Sequence, residues 1–214
     1  MRNSHFIFNE AIRSVRKKIT YYLMSLLIVL NIIIIGTANF ITPVWAKFVQ
    51  SIGGDLRTAG NAIGIFAIIL GIFTYLAGMI ENKLQKNELF LVLTQGMFAI
   101  GYLGYLLIHH AWQLYLIQIW LGLAGAFQAP ALYSLYQSYI PREKVTWAWG
   151  LWNASFNVAM GLGALAGSYL VSLTDFNIMF IFLSATAFSG LILAFIIRLQ
   201  ILKFTPDLML HKNS

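Results

Sequence analysis

The stretch of the sequence best suited to bind another molecule is residues 121–140, LGLAGAFQAPALYSLYQSYI. It is long and apolar enough to cross a membrane, yet it also carries glycines, a proline and two glutamines. At helical spacing, small and polar residues share one side of this region. They are Gln118, Gly122, Gly125, Ala129, Tyr133, Tyr136 and Gln137. Lipid does not favour such a stripe, so the pattern indicates a helix that faces a polar path and holds a solute by hydrogen bonds.

Amide and phenol side chains within the apolar runs are the best candidates for solute contacts, because they combine hydrogen bonding with apolar or aromatic surface. The predicted substrate contacts are Asn39, Gln128, Tyr133, Gln137, Asn153 and Asn157. Polar side chains of membrane helices also bond simply to a neighbouring helix, so a structural role for these residues stays open. Pro43 and Pro130 are predicted to bend their helices, which suits gating but is also ordinary in membrane proteins.

Neither catalysis nor metal binding is predicted. The sequence has no cysteine, which excludes disulfides, thiolate metal sites and a cysteine nucleophile. Residues 187–190, AFSG, loosely resemble the nucleophile site of intramembrane serine proteases. All four histidines, however, fall in the tails or in one outer loop, so none can serve Ser189 as a general base. We expect no enzyme activity, catalytic residue, metal or cofactor.

The composition is that of an integral membrane protein. The chain has 214 residues, of which 59% are hydrophobic and 10% are charged, and its mean hydropathy is +0.76. The lipid bilayer is therefore an expected partner. The net charge of +7 would suggest nucleic acid in a soluble protein, but in a membrane protein the positions of the cations carry the information, and no nucleic acid is expected.

Six apolar runs are each close to the roughly 20 residues that cross a bilayer. They lie at about 21–48, 60–80, 89–108, 112–140, 146–172 and 177–199. The sequence thus predicts three parts, which are a cytoplasmic amphipathic helix over residues 1–19, a six-helix transmembrane domain over 20–200, and a cytoplasmic polar tail over 201–214.

The basic residues set the predicted orientation. If the loops alternate sides, only Lys47 and Arg57 fall on one side, and the other twelve Lys and Arg residues fall on the side of the two termini. Basic residues concentrate in cytoplasmic loops, so both termini are predicted to be cytoplasmic. The predicted location is the cytoplasmic membrane of a bacterium or archaeon, with the chain as a multi-pass protein.

A weak internal repeat relates the first and fourth runs. A shift of 87 residues aligns Phe40 with Phe127, Pro43 with Pro130 and the pair Gln50-Ser51 with Gln137-Ser138. Because each half has three spans, an odd number, the halves would be inverted relative to each other in the membrane. Chance among small and apolar residues remains the alternative explanation.

In this arrangement the chain resembles one six-span half of a major facilitator superfamily transporter, over about residues 20–200. That family has the pattern Gly-x-x-x-Asp-Arg-x-Gly-Arg-Lys after its second span. Here the segment begins at Gly78, and Lys83 and Lys86 match the pattern, whereas Asn82 and Gln85 replace the Asp and the second Gly. Glu81 is the candidate substitute for the missing Asp. The spacing of the family's fourth-span and fifth-span patterns is kept at residues 118–122 and at Gly163–Gly167, but Gln118 replaces the Arg of the first pattern and Ala164 replaces the Pro of the second.

The resemblance implies an all-α membrane protein with a 3+3 inverted repeat, half of the family's bundle, which moves a small molecule by alternating access. A homodimer would restore the second half. No carboxylate lies in the middle of a span and the polar lining is uncharged, so a small neutral or amphipathic organic solute is predicted, and efflux is favoured over uptake. The residues assigned to gating are Pro43, Pro130, Gly78, Glu81, Lys83, Lys86, Gly163 and Gly167. The alternative function is a non-transporting membrane subunit or a ligand-sensing partner of a larger membrane protein.

Overall fold

The computed structural model describes residues 2–209, with side chains for residues 14–204 except residue 16. Within these residues the chain forms seven α-helices and three short 3-10 helices. The α-helices are α1 (Arg2–Asn39), α2 (Trp45–Ser51), α3 (Leu56–Leu84), α4 (Asn87–Gly104), α5 (Ala111–Ser138), α6 (Val145–Leu173) and α7 (Phe176–Met209). The 3-10 helices are Thr42–Val44, Tyr105–Leu107 and Arg142–Lys144.

In the described part of the chain, six helical segments are long and apolar enough to cross a membrane, which confirms the six-span, all-helical prediction. They are Lys17–Ser51, Leu56–Leu84, Asn87–Leu107, Ala111–Ser138, Arg142–Leu173 and Phe176–Phe204. Each overlaps one of the apolar runs of the sequence. The loops 84–87 and 138–145 lie at the same end of the bundle as the start of α1 and the end of α7, and we name this the terminal end.

The two helices that carry the ends of the chain are longer than the spans predicted for them. Residues 2–39 form one helix, so the segment predicted to lie on the membrane surface continues into the first span without a break. At the other end α7 runs on to Met209, into the predicted polar tail. The described part leaves out Met1 and residues 210–214 altogether, and it leaves out the side chains of the first thirteen residues. The surface helix and the polar tail therefore stay predictions.

The two prolines related by the repeat have different effects. The first span breaks after Asn39, and Pro43 lies in the 3-10 helix before α2, as its fixed φ and missing N–H favour. Pro130 instead lies inside the continuous helix α5. The predicted disruption of the helix is therefore clear at Pro43, whereas α5 accommodates its proline without ending.

Local sequence sets both ends of α3. Asp55 is the N-cap, and its carboxylate accepts hydrogen bonds from the backbone N–H of Thr58 at 2.7 Å and from the Thr58 hydroxyl at 2.8 Å. These bonds hold the pKa of Asp55 below its usual value. At the other end Gln85 has a φ of 53° and closes the helix in the left-handed region. This is the position where the family pattern has glycine, the residue that adopts this conformation at least cost.

The helix packing has the symmetry of two inverted triplets. Span one (α1 with α2) corresponds to α5, α3 corresponds to α6, and α4 corresponds to α7. The main packed pairs are α3 with α5, α4 with α5, α1 with α6, α1 with α7 and α4 with α7. Exchange of the triplets converts α3–α5 into α6–α1 and α4–α5 into α7–α1, and leaves α4–α7 unchanged. The predicted 3+3 arrangement is thus visible in the packing itself.

Glycines permit the closest of these helix contacts. A Cβ at Gly163 would collide with the backbone carbonyl of Gly36, and a Cβ at Gly167 would collide with that of Phe40. The backbones of α1 and α6 are therefore in direct contact here, as small residues allow in membrane helices. These two glycines serve packing within one bundle.

Two hydrophobic clusters stabilise the bundle, one near each end. The cluster at the terminal end includes Leu27, Leu91, Leu135, Tyr136 and Trp152. The cluster at the opposite end includes Trp45, Phe48, Tyr105, Leu114 and Phe180. Side chains from both clusters also line a cavity between them.

Candidate functional site

A cavity of about 470 Å³ lies between α1, α2, α3, α4 and α5. Two of its lining residues, Ile63 on α3 and Tyr133 on α5, are 54% and 47% exposed, so the cavity is open to the outside of the bundle on that side. The lining residues are Asn31, Ile34, Ile35, Ala38, Ile41, Thr42, Trp45, Ile63, Phe66, Leu70, Phe98, Tyr102, Tyr105, Gln118, Leu121, Gly125, Gln128, Ala129, Leu132 and Tyr133. This volume falls within the range of small-molecule sites.

The wall of the cavity at the end away from the termini is aromatic and firmly held. The indole N–H of Trp45 donates to the carbonyl of Ala59 at 3.2 Å. The ring of Tyr105 stacks on Phe180 with centroids 4.7 Å apart and meets the edge of Phe48 at 5.7 Å. Such contacts fix ring positions, so this wall presents a preformed aromatic surface.

Three carboxamides line the cavity, and they differ in their partners. The Gln118 Nε2 donates to the Tyr105 hydroxyl at 3.0 Å. The Nδ2 atom of Asn31 and the Nε2 atom of Gln128 are buried and have no hydrogen-bond partner. Asn31 is 2% exposed and Gln128 is 6% exposed. Buried donors without partners cost free energy, but each nitrogen is covered here and must turn toward the cavity before it bonds a molecule there.

The cavity has no charged wall. Among the residues that the structure describes, none that line it is an aspartate, glutamate, lysine or arginine. The arrangement can therefore hold a molecule by apolar contact, aromatic stacking and hydrogen bonds, but it offers no counter-ion to a charged one.

Of the six residues predicted to contact solute, Gln128 and Tyr133 lie on this cavity and four do not. Asn39, Asn153 and Asn157 each donate to a backbone carbonyl four residues earlier in their own helix, at 2.9, 2.9 and 2.7 Å. These bonds lie within one helix and not between neighbouring helices, which was the structural role that the sequence left open. Their part in solute binding, like that of Gln128 and Tyr133, stays a prediction.

Gln137 belongs to an aromatic cluster at the terminal end, where α5 meets α6. Its Oε1 accepts from the indole N–H of Trp149 at 3.1 Å, and the Tyr136 hydroxyl donates to the carbonyl of Ala148 at 2.6 Å. The rings of Tyr136 and Trp152 have centroids 4.3 Å apart. Tyr133 joins this cluster to the cavity, since its ring lies 5.9 Å from that of Trp152.

The four gating residues assigned from the pattern after the second span lie at the terminal end of α3. No atom lies within 4 Å of a Cβ placed on Gly78, whereas Lys83 and Lys86 are exposed. Glu81 is 3% exposed, and neither of its carboxylate oxygens has a hydrogen-bond partner. The gating role of these residues stays a prediction, but the environment of Glu81 is unusual because buried charges normally pair.

Several lining residues were not among the predicted contacts. Asn31 was one of several polar residues in the first span, and periodicity does not separate it from Asn39. Tyr102 and Tyr105 lie in the third span, in the 99–107 region that reads as plain apolar sequence. The signal that could have identified Asn31 is the repeat, since the shift of 87 residues aligns it with Gln118 of the polar stripe.

Comparison with known proteins assigns this fold. The family model of the Major Facilitator Superfamily matches residues 25–206. A relative from Methanocaldococcus jannaschii, described as an uncharacterized MFS-type transporter, is 22% identical over 176 residues, which are 82% of this chain and 44% of the relative. The chain thus spans less than half the length of that relative.

Proposed function

Because the chain belongs to the major facilitator superfamily, we propose that it moves a small neutral or amphipathic organic solute across the membrane by alternating access. The observation that carries the proposal is the uncharged, aromatic and amide-lined cavity between the first four spans. Export is favoured over import, because nothing in this lining selects a charged nutrient. The proposed location is the cytoplasmic membrane of a bacterium or archaeon, with both termini in the cytoplasm.

We propose further that two copies of the chain form the transporting unit. Transporters of this type place the solute between two six-span halves related by an axis along the membrane normal. Two copies of one chain insert in the same orientation, because the same basic residues orient both, so such an axis can relate them. The cavity is open on one side, where a second copy would close it. Of the six spans, α3 has the smallest share of its residues buried inside the bundle, so a second copy would also cover its exposed face.

Transport is tested by reconstitution. Liposomes that contain the full chain are compared with empty liposomes for the movement of neutral aromatic amides and alcohols, with and without a pH gradient. Ala129 lines the cavity, so Ala129→Phe should fill it and abolish movement. Ala185 lies on the exposed side of α7, so Ala185→Phe is the matched control and should leave movement unchanged. Equal movement in empty and protein-containing liposomes would overturn the proposal, and binding without movement would favour the ligand-sensing alternative.

The dimer is tested by disulfide cross-linking. Because the sequence has no cysteine, only the introduced cysteines can form a disulfide. Gly71 on α3 and Leu162 on α6 are both exposed, and α3 and α6 are not among the helix pairs that pack together within one chain. The double variant Gly71→Cys with Leu162→Cys should therefore form oxidised dimers in membranes, whereas Ile100→Cys, on the exposed side of α4, should not. A stable monomer in detergent that forms no cross-link would contradict the homodimer.

A further inference from the structure

The two unpaired carboxamides lie on separate walls of the cavity. Asn31 is on α1 and Gln128 is on α5, and these helices pack against each other only slightly because the cavity lies between them. Both side chains line the cavity, so one molecule that enters from the open side touches both. Their nitrogens are covered in the unliganded structure, so each carboxamide must rotate about its last bond to bring its N–H to that molecule. Gln118 differs from both, since the Tyr105 hydroxyl already accepts its N–H.

Gln95, a fourth buried carboxamide, is also unpaired but lies outside this cavity, so it serves as a comparison for Asn31 and Gln128. Gln95 is 2% exposed and its Nε2 has no partner, but it lines a separate cavity of only about 30 Å³ between α1, α4 and α7. That space holds about one or two water molecules. The cavity at Asn31 and Gln128 is about fifteen times larger, so it accepts an organic molecule in addition to water.

We infer that the ligand of this cavity is a neutral, planar molecule whose carbonyl-type oxygens accept hydrogen bonds from Asn31 and Gln128. This inference rests on the proposed transport function and specifies its substrate class. The carboxamide nitrogens require acceptors, because an amide N–H that stays unpaired loses the bond it would make with water. The rings of Phe66, Phe98 and Tyr102 provide stacking surface for a planar body.

The same features exclude the charged counterparts of such a molecule. An anion would have no lysine or arginine on the described lining, and a cation would have no carboxylate. Transfer of an unpaired charge into an apolar site costs far more than the apolar contacts return. A pure hydrocarbon enters without that cost but leaves both amide donors unpaired.

The test uses probes with one ring skeleton. 1,4-Naphthoquinone carries two carbonyl oxygens on opposite sides of one ring, and naphthalene carries none. 1-Naphthoate carries a negative charge, and trimethyl(1-naphthyl)ammonium carries a positive one. Binding to the full-length protein in detergent is followed by the shift of the thermal unfolding midpoint. We expect saturable stabilisation by the quinone, at least tenfold weaker binding of naphthalene, and no stabilisation by either ion.

Substitutions then locate the binding. Asn31→Leu and Gln128→Met keep the side-chain size and remove the donors, and each should weaken quinone binding about tenfold. Gln95→Met removes an equally buried and unpaired amide outside the cavity and should leave quinone binding unchanged. Because each substitution removes an unpaired polar group, the unliganded protein should be no less stable. The two site variants lie on different helices, so weaker quinone binding in either one supports the inference even if the other variant does not fold.

The outcomes separate this inference from the transport proposal. Equal affinity for quinone and naphthalene, tighter binding of an ion, or wild-type quinone affinity in both site variants would overturn the inference. Quinone binding that depends on Asn31 and Gln128, in a protein that moves no probe through liposomes, would support the inference and overturn transport. Probe movement that is unchanged in both variants would support transport and overturn the inference.

Discussion

The carboxylate of Glu81 is the least expected side chain of the structure. It is 3% exposed at the terminal end of α3, and neither oxygen has a hydrogen-bond partner. Removal of an unpaired buried carboxylate relieves a desolvation cost. We predict that Glu81→Gln raises the free energy of unfolding by about 1–3 kcal/mol. Thermal unfolding in detergent at neutral pH measures the effect.

Glu143 provides the control for this prediction. It is exposed in the 3-10 helix before α6, so Glu143→Gln should change the stability by less than about 0.5 kcal/mol. A loss of stability in Glu81→Gln would instead mean that the carboxylate stabilises this end of the bundle, as the family pattern suggests for the Asp that Asn82 replaces.

Single residues show how far the sequence predicts the site. Four members of the polar stripe of α5 line the cavity, namely Gln118, Gly125, Ala129 and Tyr133. The other three do not, since Gly122 packs against α3, and Tyr136 and Gln137 bond to α6. For the asparagines of α1 and α6, spacing in the sequence does not separate those that line the cavity from those that bond their own helix. An asparagine that bonds the carbonyl four residues earlier in its own helix has the same spacing in sequence as one that faces a solute.

At the scale of helices, the contact between α1 and α6 depends on two glycines. A Cβ at Gly167 would overlap the carbonyl oxygen of Phe40, so Gly167→Ala must push the two backbones apart. We predict a loss of about 1–3 kcal/mol in the free energy of unfolding, as overpacking of a tight contact causes. Thermal unfolding of the purified protein in detergent measures this loss.

Gly161 is the matched control on the same helix. It is exposed, and a Cβ there meets no atom within 4 Å. Gly161→Ala should therefore leave the stability unchanged or raise it by up to about 1 kcal/mol, through the higher helix propensity of alanine. Equal losses in both variants would mean that the α1–α6 contact is not as close as the structure has it.

The helices also show which features of a span the sequence determines. Hydropathy identified all six spans, because a run of about 20 apolar residues has few other stable structures. The break after Asn39 accompanies Pro43, yet α5 continues through Pro130. Pro43 lies in the first turn of a 3-10 helix, where its missing N–H removes no helical hydrogen bond, whereas Pro130 removes one inside α5. Whether a helix ends at a proline depends on the neighbours that pack around it, which local sequence does not contain.

At the scale of the whole molecule, the symmetric packing of the two triplets makes each copy of the chain a single unit. The α4–α7 contact, which the pseudo-symmetry leaves unchanged, joins the triplets, and the Ser184 hydroxyl donates to the Ala99 carbonyl across it at 2.9 Å. Alternating access in such transporters is largely a rocking of one six-span unit against the other. Contacts inside a unit should then persist through the transport cycle, while contacts between units should change.

Two cross-links distinguish these kinds of contact. The pair Ala99→Cys and Ser184→Cys joins α4 to α7 within one copy, and because this contact persists in both states, transport should continue after oxidation. In the proposed homodimer, the pair Gly71→Cys and Leu162→Cys joins α3 of one copy to α6 of the other, so there oxidation should abolish transport and reduction should restore it. Liposome assays before and after oxidation, and again after reduction, measure both. Loss of transport in the first pair would show that the bundle itself must deform, and continued transport in a fully cross-linked second pair would show that the two copies do not move against each other.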